Sequence, residues 1–325
     1  MAKRISIINF KGGVGKTTIA LHLATGLVRY HNSKVLLLDV DHQSSLSITC
    51  LRGNWETVDT AGKTINSIFL HFTDPSRETP MPGDEIIYKQ PLYYRTLSLS
   101  RGSPSFFGLD LVPSTLKLDE TELDLTSTSI GPTDESEWGK RSQICRWLEK
   151  NNIDSKYDYI IFDCPPATKI VTQNAIAASH GYIIPVIPEW MSTRGIPHLM
   201  NLLSGRIDKR MEEWCSSIEG KGKNVVSTYI QKTQLCGIVI SMIRTSGAAY
   251  SGWINEHNEI LHEINRRWGE YVVKPYIKHG TGVSQSIQQG LPVYSAKNNP
   301  NVTDRGFIDM FRELTDNLKV RIDAL

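Results

Sequence analysis

The sequence predicts an α/β fold, a doubly wound and mostly parallel sheet with helices on both faces. Three observations predict it. Short runs rich in Ile, Val, Leu and Tyr alternate with longer helical stretches, the pattern of strands buried on both faces. The first run is followed at once by a glycine-rich loop and a helix. Two later runs end in aspartate, which sets acids at the carboxyl edge of the sheet, where open α/β folds take their ligands.

Strands are expected at 5–8, 35–38, 109–112, 159–162, 182–186 and 237–242, each too short for a typical helix. Helices are expected at 17–30, 140–151, 170–179, 194–213, 251–268, 282–289 and 303–321. Residues 52–107 mix Pro, Gly, Ser, Thr and Tyr without sustained periodicity, and 215–232 are polar, so both segments are expected to be insertions. Residues 126–137 are expected to form a loop. There is no internal repeat. Every run feeds one sheet, so residues 1–325 are expected to form one domain carrying those insertions.

Of the 325 residues, 40% are hydrophobic and 22% charged, an ordinary globular balance. No apolar run approaches the ~18 residues of a membrane span. The start, Met1-Ala2-Lys3-Arg4, lacks the apolar core of a signal peptide. The five cysteines, Cys50, Cys145, Cys164, Cys215 and Cys236, are scattered with no Cys-x-x-Cys pair, which suits a reducing cytoplasm and argues against a disulfide framework. The histidines show no metal-ligand spacing, and the seven tryptophans suit packing better than base stacking. Net charge is +2, divided as −2 over residues 1–163 and +4 over 164–325, which permits a polyanionic partner without demanding one.

The loop reads Lys11-Gly12-Gly13-Val14-Gly15-Lys16-Thr17-Thr18. Such a loop turns backbone N–H groups inward around a polyphosphate, and the following helix adds the positive end of its dipole. Lys16 is placed to reach the outer phosphates and the Thr17 hydroxyl to hold Mg²⁺. Two departures stand out. Phe10 occupies the position where the general pattern has its first glycine, and Lys11 is a second lysine at the loop entrance. Lys11 either crosses to phosphates held by another subunit, as an arginine finger does in trans, or is a solvated surface lysine.

Two acidic signals flank the loop. Asp39 and Asp41, at i and i+2 where the second strand ends, share one face. Asp41 can orient an attacking water at the γ-phosphorus, while Asp39 can sit in a metal's outer shell. The run 159–162 ends in Asp163, the arrangement that holds Mg²⁺ directly or through its waters. Cys164 beside it suits a small buried side chain.

The octapeptide 11–18 resembles the deviant Walker A loop of the ParA/MinD ATPases. Asp39-Val40-Asp41-His42-Gln43 is similar to the family's Asp-x-Asp-Pro-Gln, with His42 in place of proline. Asp163-Cys164-Pro165-Pro166 resembles the ParA Walker B signature, and Leu109-Asp110-Leu111-Val112-Pro113-Ser114 and Gly290-Leu291-Pro292 resemble further ParA elements. The resemblance implies a P-loop NTPase of the deviant Walker A type, with ATP and Mg²⁺ as ligands. It implies Lys11 as signature lysine, Asp41 as water-orienting acid and Asp163 as metal-associated acid. Lys11, Lys16 and Asp41 would then carry catalysis. One departure matters: Ile277-Lys278-His279 and Gly282 stand where ParA proteins often have Ile-Pro-Arg and a later arginine.

The resemblance further implies a homodimer sandwiching ATP, non-specific DNA as second ligand, a ParB-like cargo adaptor that stimulates hydrolysis, and a place in the cytoplasm, on the nucleoid when ATP is bound. DNA gripped through its phosphates needs basic residues on one exposed face. Arg305, Arg312 and Lys319 recur every seven residues in the last helix, and Arg266, Arg267, Lys274 and Lys278 form a second candidate group. An ordinary solvated helix face is the equal alternative. Two other functions remain open on sequence: a same-fold ATPase that positions a protein cargo such as carboxysomes, and a metal-cluster carrier related to nitrogenase iron protein. The latter needs bridging cysteines at a dimer interface.

Overall fold

The computed structural model describes residues 1–74, 76, 78–92, 106–246, 252–295, 300–303 and 306–325. Its main sheet has eight strands: β1 (Lys3–Ile7), β2 (Val35–Asp39), β3 (Tyr88–Lys89), β4 (Leu109–Val112), β5 (Tyr159–Asp163), β6 (Gly181–Val186), β7 (Gln234–Ile240) and β10 (Val272–Val273). The strands β8 (Thr245–Ser246) and β9 (Gly252–Trp253) pair as a separate antiparallel ribbon. The spatial order is β10-β7-β6-β1-β5-β2-β4-β3. All pairings are parallel except β3 with β4 at the edge.

Strand alternation feeds two cores. Leu36, Leu38, Ile160 and Phe162 point into one, beneath the helices Asn66–Thr73, Gln143–Lys150 and Ile170–Ala177. Ile5, Ile7, Val35, Leu37 and Ile161 point into the other, against α1 (Lys16–His31) and the terminal helix Phe307–Asp323. The two helices pack closely. A Cβ added at Gly26 would collide with Thr315 and lie 2.9 Å from the Tyr294 hydroxyl. His22 ties the same layer together: its Nδ1 lies 2.7 Å from the Thr18 carbonyl, Nε2 accepts from the Val293 amide at 3.1 Å, and its ring stacks on Phe311 at 4.0 Å.

All six expected strands form, within one to three residues of their expected ends. One expectation needs correction, and the two expected insertions contain helices. The stretch 126–137 is not a loop throughout, because a helix covers Thr133–Arg141. Asp134 and Glu135 in its first turn and Lys140 and Arg141 in its last complement the helix dipole, and Trp138 is buried. The segment 52–107 contains the helices Trp55–Thr60 and Asn66–Thr73, the latter burying Ile68, Phe69 and Phe72. The segment 215–232 begins inside a helix that runs from Lys209 to Gly220. Ile207, Met211, Trp214 and Ile218 form one stripe toward the core, a spacing hidden by the polar residues between them.

Candidate nucleotide-binding site

The β1 strand delivers the chain to the loop at the carboxyl edge of the sheet. Gly13 and Gly15 have φ of 72° and 88°, the left-handed region that a side chain enters only with strain. Three contacts hold the loop in shape. The Asn9 side chain donates to the Pro185 carbonyl at 2.7 Å and accepts from the Lys11 amide at 3.0 Å. Ser241 Oγ, beyond the end of β7, donates to the Val14 carbonyl at 2.7 Å. Phe10 packs on the core and lies 5.4 Å from the His198 ring, which accounts for an aromatic where glycine is usual.

Lys16 opens α1 and is 7% exposed, with Nζ donating to the Lys11 carbonyl at 3.2 Å. Burial lowers its pKa, opposed by the charges of Asp163 and Asp41. Asp39, Asp163 and Ile7 lie side by side across β2, β5 and β1. Asp163 is 1% exposed, and neither of its carboxylate oxygens has a hydrogen-bond partner. Burial raises its pKa strongly and the nearby Asp39 adds to the rise, while Thr17 and Lys16 oppose it. In its ionised form a group so placed needs a cation to answer its charge.

Asp39 is different. Its oxygens accept from the Ser47 amide at 2.8 Å, the Ser47 hydroxyl at 2.6 Å and the Asp41 amide at 3.2 Å. Asp39 thus braces the turn into the helix α2 (Ser45–Leu51), sets where Asp41 stands, and lies directly beside Asp163 in the register. Asp41 accepts from the Gln43 amide at 2.9 Å, and its charge acts on Lys16.

Lys11 forms an ion pair with Glu189 of the same chain, both side chains being about 40% exposed. Beside them Trp190 and Met191 are 60% and 65% exposed. A cleft of about 260 Å³ opens on the other side of the loop. Thr18, Ser241, Met242, Ile277, Lys278 and His279 line it. The sequence reading missed Asn9, Ser241, Met242 and Glu189. None belongs to a motif, and only the φ of 54° at Met242 marks any of them as unusual.

The two candidate basic groups meet different partners. Arg305 lies outside the described residues. Lys319 pairs with Asp323, and Arg266 and Arg267 both pair with Glu263. Lys274 sits 3.5 Å over the Tyr276 ring and Arg312 5.1 Å over Tyr30. Arg266 and Arg267 end the helix that returns the chain to the amino edge of the sheet, whereas Lys278 lines the cleft at the carboxyl edge. Cys164 is fully buried, so it does not stand at a surface where two subunits could share a metal cluster. No group of three or more potential His, Cys, Asp or Glu metal ligands occurs among the described residues.

A family model described as an AAA domain matches residues 2–214. The chain belongs to the ParA/MinD family of P-loop ATPases. It is 28% identical over 293 residues to the chromosome partitioning protein ParA of Caulobacter vibrioides, covering 89% of this chain and 85% of that one. It is 30% identical over 208 residues to an uncharacterized protein of Mycobacterium tuberculosis, covering 64% of this chain. It spans only about half of that relative, 52% of its length. An ATP complex of McdA from Cyanothece shares the fold, with a TM-score of 0.65 at 17% identity over 99% of this chain and 96% of that one. Among the described residues no helix is long and apolar enough to cross a membrane.

Proposed function

We propose that this chain binds ATP with Mg²⁺, pairs with a second copy across the bound nucleotides, grips DNA without sequence preference, and drives partition of plasmid or chromosome DNA through adaptor-stimulated hydrolysis. The observation that carries the reading is the Asp163 carboxylate, buried without a hydrogen-bond partner beside Lys16 and Thr17. This donor set fits Mg²⁺, a hard ion that takes one or two protein oxygens and completes its shell with phosphate and water. When bound, the ion neutralises charge on the phosphates.

The backbone N–H groups of residues 12–18 surround the phosphates, and Lys16 neutralises the outer ones. Thr17 and Asp163 hold the metal. Asp41, fixed by Asp39 and the Gln43 amide, orients the attacking water. The cleft along 277–279, apolar with a few polar groups, accepts the planar base. Lys11 leaves Glu189 and reaches the partner's phosphates, and the exposed Trp190 and Met191 flank that seam. DNA is held by exposed basic residues, of which Lys274 and Arg312 are exposed and rest on tyrosine rings without an ion pair to a carboxylate among the described residues. The protein works in the cytoplasm and associates with the nucleoid in its ATP state.

A DNA gel shift with ATP, with ADP and without nucleotide tests the reading. Retardation with ATP alone supports the switch. Retardation under all three conditions, or under none, refutes it.

A further inference from the structure

Glycine permits the shape of the phosphate loop but does not select it. Gly15 stands at φ 88°, and a residue without Cβ passes between positive and negative φ at little cost. As far as its own two residues are concerned, the peptide joining Val14 to Gly15 can face either way. The next peptide is already fixed, because the Gly15 carbonyl accepts from the Ile19 amide at 2.9 Å in the first turn of α1. The Val14–Gly15 peptide is fixed from elsewhere in the chain: the Ser241 hydroxyl donates to the Val14 carbonyl at 2.7 Å.

Ser241 is itself firmly held. It follows β7, is 2% exposed, and donates its amide to the Val186 carbonyl at 2.8 Å. Two residues on, the Ile243 amide donates to the Ile277 carbonyl at 3.1 Å. Met242, between these anchors, takes a φ of 54°, a strained conformation that persists only where the surroundings impose it. Val14 is 1% exposed and its bond to Ser241 is buried, so solvent does not replace the hydroxyl when it is removed.

A trans peptide points its N–H opposite to its C=O, and the Val14–Gly15 peptide is trans. With the carbonyl turned to Ser241, the Gly15 N–H is turned away from it. We propose that Ser241 is a positioning residue for phosphate binding, whose hydroxyl keeps the Gly15 N–H directed into the loop. This assignment rests on the nucleotide reading above. Without the hydroxyl the peptide is free to flip. A flipped peptide removes one donor from the cradle and puts a carbonyl dipole, negative end first, toward the anion.

Ser241 also lines the neighbouring cleft, and the two roles separate by ligand. A wall residue acts only on a ligand that carries a base. Peptide orientation acts on any polyphosphate.

Titration calorimetry of the full chain with ADP and with inorganic tripolyphosphate, each with Mg²⁺, tests the assignment. Ser241→Thr keeps the hydroxyl, and Ser241→Val has the same shape without it. Ser241→Thr binds both ligands within about twofold of wild type. Ser241→Val and Ser241→Ala each bind both about tenfold more weakly, the upper range for one buried hydrogen bond. Ser241→Ala reads the site even if the valine variant fails to fold. Unchanged tripolyphosphate affinity in Ser241→Ala overturns the proposal, whether or not ADP weakens, and leaves the nucleotide reading standing. A loss in Ser241→Thr as large as in Ser241→Val overturns it too, because the hydroxyl then makes no difference. A wild-type chain that binds neither ligand refutes the nucleotide reading, and the role of Ser241 with it.

Discussion

His22 gives the fold a defined sensitivity to acid. The ring is fully buried between α1 and the terminal helix, and burial pushes its pKa down to about 4 from the ordinary 6.5. With Nε2 accepting from the Val293 amide, the neutral ring must carry its proton on Nδ1 and give it to the Thr18 carbonyl. A second proton would break the Val293 bond inside an apolar layer. Between pH 6.5 and 4 the unfolded chain takes up a proton that the folded chain refuses. Stability from His22 is therefore fully present above about pH 6.5 and falls as pH falls through that window. The two pKa values give a loss of about 2 kcal/mol by pH 5 and about 3 kcal/mol by pH 4, relative to pH 7. Urea unfolding of the wild type and of His22→Gln at pH 7, 6, 5 and 4 measures it. The variant is less stable at pH 7, since it loses the stacking on Phe311, but its stability declines less in acid. His180, also lowered to about 4, contributes equally to both proteins and cancels in the difference. Parallel pH profiles for the two proteins would refute the reasoning.

Other expected outcomes follow from the same geometry. Lys16→Ala abolishes ATP binding by equilibrium dialysis, because the loop loses the buried cation beside the phosphates. Lys11→Ala keeps ATP binding within about twofold and removes ATP-dependent dimers in sedimentation, since its amine lies outside the loop of its own chain. Asp41→Ala binds ATP and remains dimeric without releasing phosphate, provided that Asp41 orients the water. Gly15→Ala costs about 1–2 kcal/mol in urea unfolding, because its φ of 88° is strained for a side chain while the nearest atom, Met242 Cε, at 3.6 Å leaves room. Gly26→Ala costs about 1–3 kcal/mol with nucleotide affinity unchanged, because the added methyl forces α1 from Thr315 and Tyr294.

Much of the fold was legible because its signals are local. Six strands are predominantly apolar runs of four to seven residues, and burial on both faces fits them best to strands. The edge strand β3 and the short β10 were not legible, since two residues carry no periodicity. The helix Thr133–Arg141 was hidden by its charge: polar residues cover most of its length, and of the four residues it buries two, Ser136 and Lys140, are polar. At the site, Lys16, Thr17, Asp41 and Asp163 could be named because each lies in a motif of fixed spacing. Ser241 and Glu189 could not, since their partners Val14 and Lys11 lie 227 and 178 residues away in sequence.

The amino-acid order alone determined a phosphate-binding loop between a strand and a helix, two acidic strand ends and a parallel sheet, because these depend on neighbours within a few residues. Tertiary packing decided which acids are free to act. Two carboxylates alike on paper part company when Ser47 closes on Asp39, while Asp163 faces Thr17 and Lys16 of the loop. It also scattered the basic residues, since a helix and the strand after it carry their ends to opposite edges of the sheet. Long-range contacts made both distinctions, and no spacing in the chain encodes them.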